Sequence, residues 1–313
     1  MASHPAPPVP ELVEGRPVRY LDAVPGQLRV HVHLGVPYAQ RSGRDLHLQI
    51  IQPSVDTTFA QADQTGGTGD RESYPCVVFV QGSGWGEQAL GSSIAFWCRF
   101  AERGFVVAIV EYRPSSVAPF PAQVADAKTA VRWLRNHADA YGIDPAQVVL
   151  AGDSSGGHTV LMAHVTDGLL ALDDDPDGGH LGIRAVVDLY GITDFTLLER
   201  ELLDRGAAEP DWLSRRALGG LDPATHAATL RGAEPATWLD RGRPLLPLLM
   251  VHGTADGSVP LSQSEAYLAA LRGHGHDAEL VVVRGGKHGL WPALYNDALA
   301  DLLEEFIRRA VGT

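Results

Sequence analysis

The chain has 313 residues, 45% of them hydrophobic, and carries a formal net charge of −13 at pH 7. This length and apolar content can build the core of one large α/β domain, so we predict a single domain across residues 1–313. The acidic balance argues against a nucleic acid or an anionic membrane as a partner, because both favour a basic surface.

The first residues and the two cysteines indicate a compartment. Residues 1–27 contain several prolines but neither the basic start nor the apolar run of a secretion signal, so we expect an extended lead-in. Cys76 and Cys98 lie in apolar segments, as reduced and buried thiols do. No apolar run approaches the roughly 18 residues of a membrane span. These features predict a cytoplasmic protein that acts on a small molecule, and they leave a homodimer open.

The first half of the chain alternates between strand and helix patterns. Residues 28–53 predict two antiparallel strands with Gly43 in the turn between them, and a polar surface loop follows over 54–73. Continuous apolar runs then predict three buried strands, over 76–80, 105–110 and 148–151. Between these strands, helical spacing predicts one helix over 94–102 and another that closes near Gly142.

The second half keeps this rhythm except in one segment. Residues 194–243 mix short helical patterns with turn residues, which predicts a small cap insertion over the carboxyl edge of the sheet. The other predicted elements are strands over 185–189, 245–251 and 279–283 and helices over 261–271 and 298–311. Alternating strands and helices predict a mostly parallel central sheet with helices on both faces.

Residues 152–156, with the sequence GDSSG, fit the pattern Gly-x-Ser-x-Gly between a buried strand and a helical pattern. A side chain on such a sharp turn is held out at the carboxyl end of the sheet, and Gly152 and Gly156 remove side chains that would collide there. Ser154 is the residue that the turn exposes. The helix behind it offers free N–H groups and the positive end of its dipole to a negative charge that forms at the serine.

Three residues that follow predicted strands occur in the order Ser154, Asp256, His288, which is the Ser…Asp…His order of the α/β hydrolases. A serine hydroxyl is a poor nucleophile near neutral pH and needs a base to take its proton. His288 can act as that base, while Asp256 can hold its tautomer and stabilise the imidazolium. Asp194 also follows a predicted strand and is a rival for the role of the acid.

The glycine-rich turn over residues 81–85, which follows the strand at 76–80, can supply donors to an oxyanion, and we call it the oxyanion turn. We predict that the backbone N–H groups of Ser83, Gly84 and Ser155 are these donors. Trp85 next to this turn and Trp291 after His288 are either core aromatics or substrate-binding walls of an acyl pocket. As walls they would leave little volume for a long acyl chain, which predicts a preference for short acyl groups.

Other polar residues near the motifs have structural interpretations. We interpret His158 as a helix-packing histidine, Asp153 as a support of the serine turn, Asp126 as a salt-bridge or cap residue, and His252 as a brace for the acid loop. The stretch LDDDPDGGH resembles a calcium loop, but its twelfth position is Arg184 rather than a bidentate Glu. We therefore predict no metal site and no cofactor.

From about Asp45 onward the chain resembles the α/β hydrolases of the esterase/lipase group, and within it the branch called bifunctional feruloyl and acetyl xylan esterase-like. The resemblance rests on QGSGW, EYR, FPAQVADAKTAVRWL, GDSSGGH, DLYGITDF, HGTADGSVP and GKHG. It implies a serine hydrolase that cleaves carboxylic esters through an acyl-enzyme, and the HGTADGSVP match favours Asp256 over Asp194. The oxyanion turn departs from the family pattern, with Gln81 for the usual His and Ser83 for the middle Gly.

Two alternative functions remain open. The same triad can cleave amides, as in an aryl formamidase or a peptidase, although peptidases of this fold usually carry a large gating domain that this chain has no room for. A non-catalytic binding protein of this fold typically lacks one triad member, whereas Ser154, Asp256 and His288 are all present. The sequence therefore favours a short-chain ester, of acetyl or aryl type, as the substrate.

Overall fold

The computed structural model describes residues 12–13, 16–17, 29–54, 73–206, 213–241, 244–290 and 296–313. Its strands are β1 (Leu12–Val13), β2 (Arg16–Pro17), β3 (Arg29–Arg41), β4 (Arg44–Ser54), β5 (Tyr74–Val80), β6 (Val106–Val110), β7 (Ile143–Asp153), β8 (Ala185–Leu189), β9 (Leu248–Gly253) and β10 (Glu279–Val283). Its α-helices are α1 (Ile94–Ala101), α2 (Ala122–Asn136), α3 (Ser155–Val165), α4 (Phe195–Asp204), α5 (Leu213–Ala217), α6 (Ala227–Gly232), α7 (Ser262–Gly273) and α8 (Asp297–Val311). Short 3₁₀ helices span Leu90–Ser93, Ala138–Tyr141, Leu170–Leu172 and Pro235–Arg241.

One sheet organises the described part of the chain. Its eight strands lie in the order β10-β9-β8-β7-β5-β6-β4-β3. The pairs β3–β4 and β4–β6 are antiparallel, and the pairs from β6 through β5, β7, β8 and β9 to β10 are parallel. The predicted mostly parallel sheet is therefore confirmed. Because parallel strands share a direction, the segments that follow β5, β7, β8, β9 and β10 emerge at one edge, where such sheets place their sites.

The apolar runs of the central strands are buried because helices cover both faces of the sheet. Successive side chains of a strand point to opposite faces, so Val78 and Val80 join the core beneath α2, α3 and α7. Val77 and Phe79 join the core beneath α1 and α8. Among the described helices, none has both the length and the apolar character that a membrane span requires.

Several element boundaries differ from the predicted ones; β7, for example, begins at Ile143 rather than at residue 148. The helix expected to close near Gly142 ends at Asn136, and the separate turn Ala138–Tyr141 fills the interval up to Gly142 at φ +63°. The strand expected from residue 245 begins at Leu248. Pro247 directly before it has no N–H to give to a strand ladder, so only its carbonyl takes part, accepting from the Val186 N–H at 2.9 Å.

The acidic stretch that resembles a calcium loop is held by arginine side chains. The Arg132 guanidinium contacts Asp173 at 2.6 Å and Asp175 at 2.9 Å. Arg41 also contacts Asp175, at 2.8 Å. These carboxylates therefore bind the loop to α2 and β3, which is a structural role for the acidic run.

Asp188 is a buried carboxyl group near the carboxyl end of β8. It lies in β8 and is 0% exposed. Its Oδ1 accepts from the Gly191 N–H at 3.0 Å, whereas its Oδ2 has no hydrogen-bond partner within the described residues. Burial raises the pKa of Asp188 to about 8, the Gly191 N–H opposes this rise, and the charge of Asp153 adds to it. The folded protein therefore holds this carboxyl protonated at neutral pH.

We expect Asp188→Asn to stabilise the protein at alkaline pH. An unfolded Asp ionises near pH 3.9 while folded Asp188 keeps its proton up to about pH 8, so the wild type loses stability as the pH rises between these values. Asn can still accept from Gly191 but has nothing to ionise. The difference in melting temperature between variant and wild type should rise by at least about 2 °C from about pH 4.5 to about pH 8.5.

Asp139→Asn, which changes an exposed carboxyl, is the matched control and should show no such trend. The same difference in melting temperature at both pH values for Asp188→Asn would show that the buried carboxyl does not govern the pH dependence.

Candidate active site

Ser154 lies on a strained turn between β7 and α3. Its backbone has φ +52° and ψ −122°, a conformation that non-glycine residues rarely adopt. The strain is imposed by close packing of the flanking glycines. A Cβ on Gly152 would lie 2.4 Å from the Gly156 carbonyl oxygen, and one on Gly156 would lie 2.0 Å from the Val80 carbonyl oxygen. The predicted reason for the two glycines thus agrees with the packing.

The structure brings together the three residues that the sequence singled out. Ser154 follows β7, Asp256 follows β9 and His288 follows β10, all at the carboxyl edge of the sheet. His288 Nε2 lies 3.1 Å from Ser154 Oγ, and His288 Nδ1 lies 2.8 Å from Asp256 Oδ2. This network assigns the Nδ1–H tautomer to a neutral His288, with Nε2 accepting from the serine hydroxyl.

The environment of Asp256 favours its ionised form. Burial by itself raises the pKa of this carboxyl, but the hydrogen bond with His288 and the N–H groups of Val259 and Ser258 outweigh burial, so the pKa lies below its ordinary value. The two N–H groups donate to Oδ1 at 2.8 and 2.9 Å. Asp256 therefore presents Oδ2 to His288 as a carboxylate.

His252 braces the loop that carries Asp256. Its Nε2 lies 2.8 Å from the Val259 carbonyl and its Nδ1 lies 2.7 Å from Ser264 Oγ. Both contacts are made by a neutral ring that donates through Nε2, and burial lowers the pKa of His252. This arrangement agrees with the bracing role interpreted from the sequence.

Asp194, the rival acid, has a different set of partners. Its side chain accepts from the Leu197 N–H at 2.8 Å and so caps the first turn of α4. Its backbone N–H donates to Gln263 Oε1 at 2.9 Å. These contacts make Asp194 a helix cap. The carboxylate that contacts His288 is that of Asp256.

The oxyanion turn uses two of its N–H groups for its own support. The Gly82 N–H donates to Asp153 Oδ1 at 2.7 Å, and the Ser83 N–H donates to Ser155 Oγ at 2.9 Å. The prediction that Ser83 supplies an oxyanion donor is therefore corrected, because its N–H already has a buried acceptor. The other two predicted donors, Gly84 and Ser155, have no acceptor for their N–H groups within the described residues.

Three hydroxyl groups, two of them buried, fix this turn from behind. The Tyr112 hydroxyl lies 2.8 Å from Ser83 Oγ and 3.2 Å from Ser155 Oγ, and Ser83 Oγ donates to the Gly86 carbonyl at 2.7 Å. Tyr112 is 1% exposed, and burial raises its pKa to about 12, so the phenol keeps its proton. Sequence reasoning missed Tyr112. The signal that could have found it is its position directly after β6 in the EYR segment.

Asp153 supports the turn from the other side. Its Oδ1 accepts from the Gly82 N–H and its Oδ2 accepts from the Tyr190 hydroxyl at 3.1 Å. Burial raises the pKa of Asp153, and these donors oppose the rise. This is the supporting role that the sequence suggested. Asp126 likewise has the structural role interpreted from the sequence, because it forms a buried ion pair with Arg113 at 2.8 Å.

The structure places Trp85 in the core. Its side chain is 1% exposed, and its ring centre lies 5.3 Å from that of His158 and 5.6 Å from that of Phe195. The assignment of Trp85 as a substrate-binding wall is therefore corrected to a core aromatic. His158 packs in the same cluster, and its Nε2 lies 2.7 Å from the Ala233 carbonyl. Trp291 lies outside the described residues.

A mostly parallel sheet whose strand-to-helix turn presents a serine to a histidine and an aspartate defines the α/β hydrolases as the class of this protein. The sequence model of the BD-FAE family matches residues 67–271, and the protein belongs to this family. The predicted resemblance to the esterase group is thereby confirmed.

Curated relatives carry esterase names. Esterase LipC of Mycobacterium tuberculosis is 31% identical over 205 residues, which are 63% of this chain and 48% of that protein. The probable isoprenylcysteine alpha-carbonyl methylesterase ICME of Oryza sativa subsp. japonica is 30% identical over 222 residues, 68% of this chain and 51% of that protein. The chain thus spans about half the length of the curated relatives it matches.

Solved structures of similar fold are also esterases. Native Est2, described as a thermophilic esterase of the Planctomycetes species Thermogutta terrifontis, has a TM-score of 0.65 and 27% identity, covering 90% of this chain and 92% of that chain. A truncated carbohydrate esterase from gut microbiota has a TM-score of 0.70 and 24% identity, covering 90% of this chain and 96% of that chain. These matches confirm the predicted α/β-hydrolase fold.

We expect Tyr112→Phe to slow turnover of an activated ester such as p-nitrophenyl acetate. Removal of a whole oxyanion donor costs about 10²–10³ in kcat, and loss of a group that only positions the turn should cost less, about tenfold, with KM changed by less than about threefold. Tyr267→Phe is the matched control, because the Tyr267 hydroxyl is buried without a partner in the described residues. Equal losses of kcat in the two variants would contradict the positioning role of Tyr112.

Proposed function

We propose that the protein is a serine hydrolase that cleaves short-chain carboxylic esters through an acyl-enzyme. The observation that carries this proposal is the unbroken line of contacts from Ser154 Oγ through His288 to Asp256 Oδ2. The strained turn holds the nucleophile in this line before substrate binds. Nearby N–H groups of Gly84 and Ser155 can receive the negative charge that forms on the carbonyl oxygen.

Acylation begins at Ser154. Its oxygen forms a bond to the ester carbonyl carbon while its proton passes to His288 Nε2, and the carbonyl π electrons move onto the oxygen. The Gly84 and Ser155 N–H groups donate to that oxyanion. When the carbonyl forms again, the bond to the alcohol oxygen breaks, and this oxygen keeps the electron pair and takes the proton from His288. The alcohol leaves, and the acyl group stays on Ser154.

Deacylation repeats these steps with water. His288 takes a proton from water as the water oxygen bonds to the acyl carbon, and the Ser154 oxygen then leaves with its electron pair and recovers the proton from His288. The products are the carboxylic acid and free enzyme. In both halves of the reaction the Asp256 carboxylate stabilises the imidazolium of His288. The lowered pKa of Asp256 keeps this carboxyl ionised beside that positive charge.

One finding supports a short acyl group, and another supports an ester rather than an amide. Est2 of Thermogutta terrifontis has also been solved with butyrate bound and with propionate bound, at 27% and 26% identity to this chain. The named relatives are esterases and a methylesterase rather than amidases. Esters of short acids are therefore the substrate class that we assign to this site, and amides are the alternative that the tests include.

We further propose that residues 194–243 act as a cap within a single domain. The Arg205 guanidinium donates to the Asp256 carbonyl at 3.2 Å. The Arg216 guanidinium lies 3.2 Å from the position that a Cβ on Gly84 would occupy. Two helices of this segment thus lie beside the triad acid and beside the oxyanion turn, where a cap would contact substrate.

Ser154→Ala should abolish ester hydrolysis and leave the fold intact, because it removes only the oxygen of a partly exposed side chain. We expect kcat on p-nitrophenyl acetate to fall by about 10⁴-fold or more. Ser116→Ala, at an exposed serine, is the control and should keep wild-type kinetics. A Ser154→Ala enzyme with more than a tenth of wild-type turnover would assign the nucleophile to another residue.

Asp256→Asn should reduce kcat far more than Asp194→Asn. The first change removes the carboxylate that faces His288, as in triads where loss of the acid costs about 10⁴-fold. The second changes a helix cap and should act on stability, by about 1 kcal/mol. Kinetics on p-nitrophenyl acetate and thermal unfolding of both variants separate the two effects. The reverse ranking of kcat would make Asp194 the acid.

The acyl preference is tested with p-nitrophenyl esters of two to twelve carbons and with N-formylkynurenine as an amide. We expect kcat/KM to be highest at two to four carbons, since a chain that must stay in water gains none of the roughly 0.8 kcal/mol per methylene that burial provides. An optimum at eight carbons or more would move the enzyme to the lipases. Faster cleavage of the amide would replace the ester assignment.

A further inference from the structure

The segment proposed as the cap places an arginine beside the oxyanion turn. Arg216 lies in α5, and one of its guanidinium nitrogens is 3.2 Å from the position that a Cβ on Gly84 would occupy. Gly84 has φ +61°, which glycine adopts readily, and one face of its Cα lies open to the guanidinium. Since a Cβ is at most about 3 Å from its own backbone nitrogen, Arg216 reaches to within about 6 Å of the Gly84 nitrogen, whose N–H is a proposed oxyanion donor.

The backbone of α5 is fixed in this position by the loop between β6 and α2. The Phe120 N–H donates to the Ala217 carbonyl at 3.0 Å, and the Ser115 N–H of the same loop donates to the Trp85 carbonyl at 2.8 Å. Ala217, the neighbour of Arg216, is 0% exposed and belongs to the core. The loop therefore ties α5 to the oxyanion turn, and Arg216, which is itself exposed, is held beside that turn.

The position of Arg216 relative to His288 indicates which half of the ester it meets. In the proposed mechanism the alcohol oxygen comes within hydrogen-bond reach of His288 Nε2 to take its proton. His288 follows β10 and Ser154 follows β7, whereas the oxyanion turn follows β5, on the other side of β7 in the sheet. The alcohol part therefore lies on the β10 side of the reacting carbon. The side of the oxyanion turn, with Arg216, is left for the acyl part.

We propose that Arg216 binds a carboxylate carried by the acyl group, so that the substrate class is the half esters of short dicarboxylic acids; this inference rests on the proposed function. A guanidinium has five N–H donors in a planar fork that matches a carboxylate. It can therefore keep a contact within the protein and still bind substrate. The two methylenes of a succinyl group place its second carboxylate carbon about 4 Å from the reacting carbonyl carbon, a span comparable with the distance of Arg216 from the oxyanion donor.

The charge of the chain gives such a cation a selective role. With a net charge of −13 the protein repels anions at long range, and the proposed triad adds the Asp256 carboxylate at the site itself. An ester with its own carboxylate therefore needs a positive group near the reacting carbon, whereas a neutral ester does not. Arg216 supplies that positive group on the acyl side.

The test compares esters that differ in charge but hardly in shape. Monoethyl succinate carries a carboxylate on its acyl part, and ethyl levulinate has a neutral acetyl group in place of that carboxylate. Acetoxyacetate and acetoxyacetone form the corresponding pair with the charge on the alcohol part. Arg216→Gln removes the cation. Arg215→Gln is the matched control, at the exposed neighbour whose guanidinium lies 3.9 Å from the Asp222 carboxylate.

We expect Arg216→Gln to lower the ratio of kcat/KM for monoethyl succinate over ethyl levulinate by about tenfold or more, because a charge-assisted hydrogen bond is lost. The ratio for acetoxyacetate over acetoxyacetone should change by less than about threefold. Arg215→Gln should leave both ratios unchanged. The proposal is overturned by an equal loss on charged and neutral esters, by an equal or larger change in the alcohol pair, and by the absence of a change in either ratio.

A binding experiment separates this proposal from the proposed function. Monoethyl succinate and ethyl levulinate are titrated by calorimetry into Ser154→Ala and into Ser154→Ala combined with Arg216→Gln. We expect the first protein to bind monoethyl succinate more tightly than ethyl levulinate, and the second to bind monoethyl succinate at least about tenfold more weakly than the first. Equal binding of monoethyl succinate to both proteins would overturn the role of Arg216 even if the enzyme hydrolyses esters. Binding that depends on Arg216, in a protein whose wild type cleaves no ester, would refute the proposed function alone.

Discussion

The close approach of α3 to the end of β5 is the constraint on which the site depends. The Val80 carbonyl occupies space that a side chain on Gly156 would need, so the second residue of α3 must be glycine for the helix to lie this close to β5. The chain turns from β7 into α3 within one residue, Ser154, which takes a positive φ. The same approach places the turn after β5 against Ser154, the proposed nucleophile. The strain at Ser154 is thus sustained by packing, and it pre-organises both the proposed nucleophile and the proposed oxyanion donors.

Three carboxyl groups near the carboxyl ends of neighbouring strands show how local surroundings separate their roles. Asp153, Asp188 and Asp256 all lie within or after β7, β8 and β9. Burial raises the pKa of Asp153 although the Gly82 N–H and the Tyr190 hydroxyl oppose the rise, and it raises the pKa of Asp188 although the Gly191 N–H opposes it. Asp256 alone of the three has a lowered pKa, because two backbone N–H groups and His288 together outweigh burial. Only this carboxyl has surroundings that keep it charged beside an imidazolium, so its hydrogen-bond partners, His288 first among them, distinguish the proposed acid from its neighbours on the sheet.

Sequence predicted the features that depend on local patterns. Apolar runs such as Val77–Val80 mark a buried strand wherever the fold places it, and Ser154, Asp256 and His288 could be selected because each follows such a run. The features that were missed depend on which side chains meet across the fold. Ser83 and Ser155 are 72 positions apart, and nothing in either segment indicates that one hydroxyl accepts from the other's backbone. The burial of Trp85 has the same origin, since its neighbours come from α3 and α4.

Gln81, where this chain departs from the pattern of the esterases that it resembles, connects the oxyanion turn to a cavity of about 160 Å³ lined by Phe96 and Trp97. Gln81 Nε2 donates to the Ala89 carbonyl at 3.0 Å, and Gln81 Oε1 accepts from Ser93 Oγ at 2.8 Å. The amide thereby ties the turn to the 3₁₀ helix Leu90–Ser93, whose last residues line the cavity. A histidine here would carry a charge at acidic pH, whereas an amide stays neutral. Gln81 therefore contributes both to the support of the oxyanion turn and to the shape of the adjoining cavity, through a side chain that does not titrate.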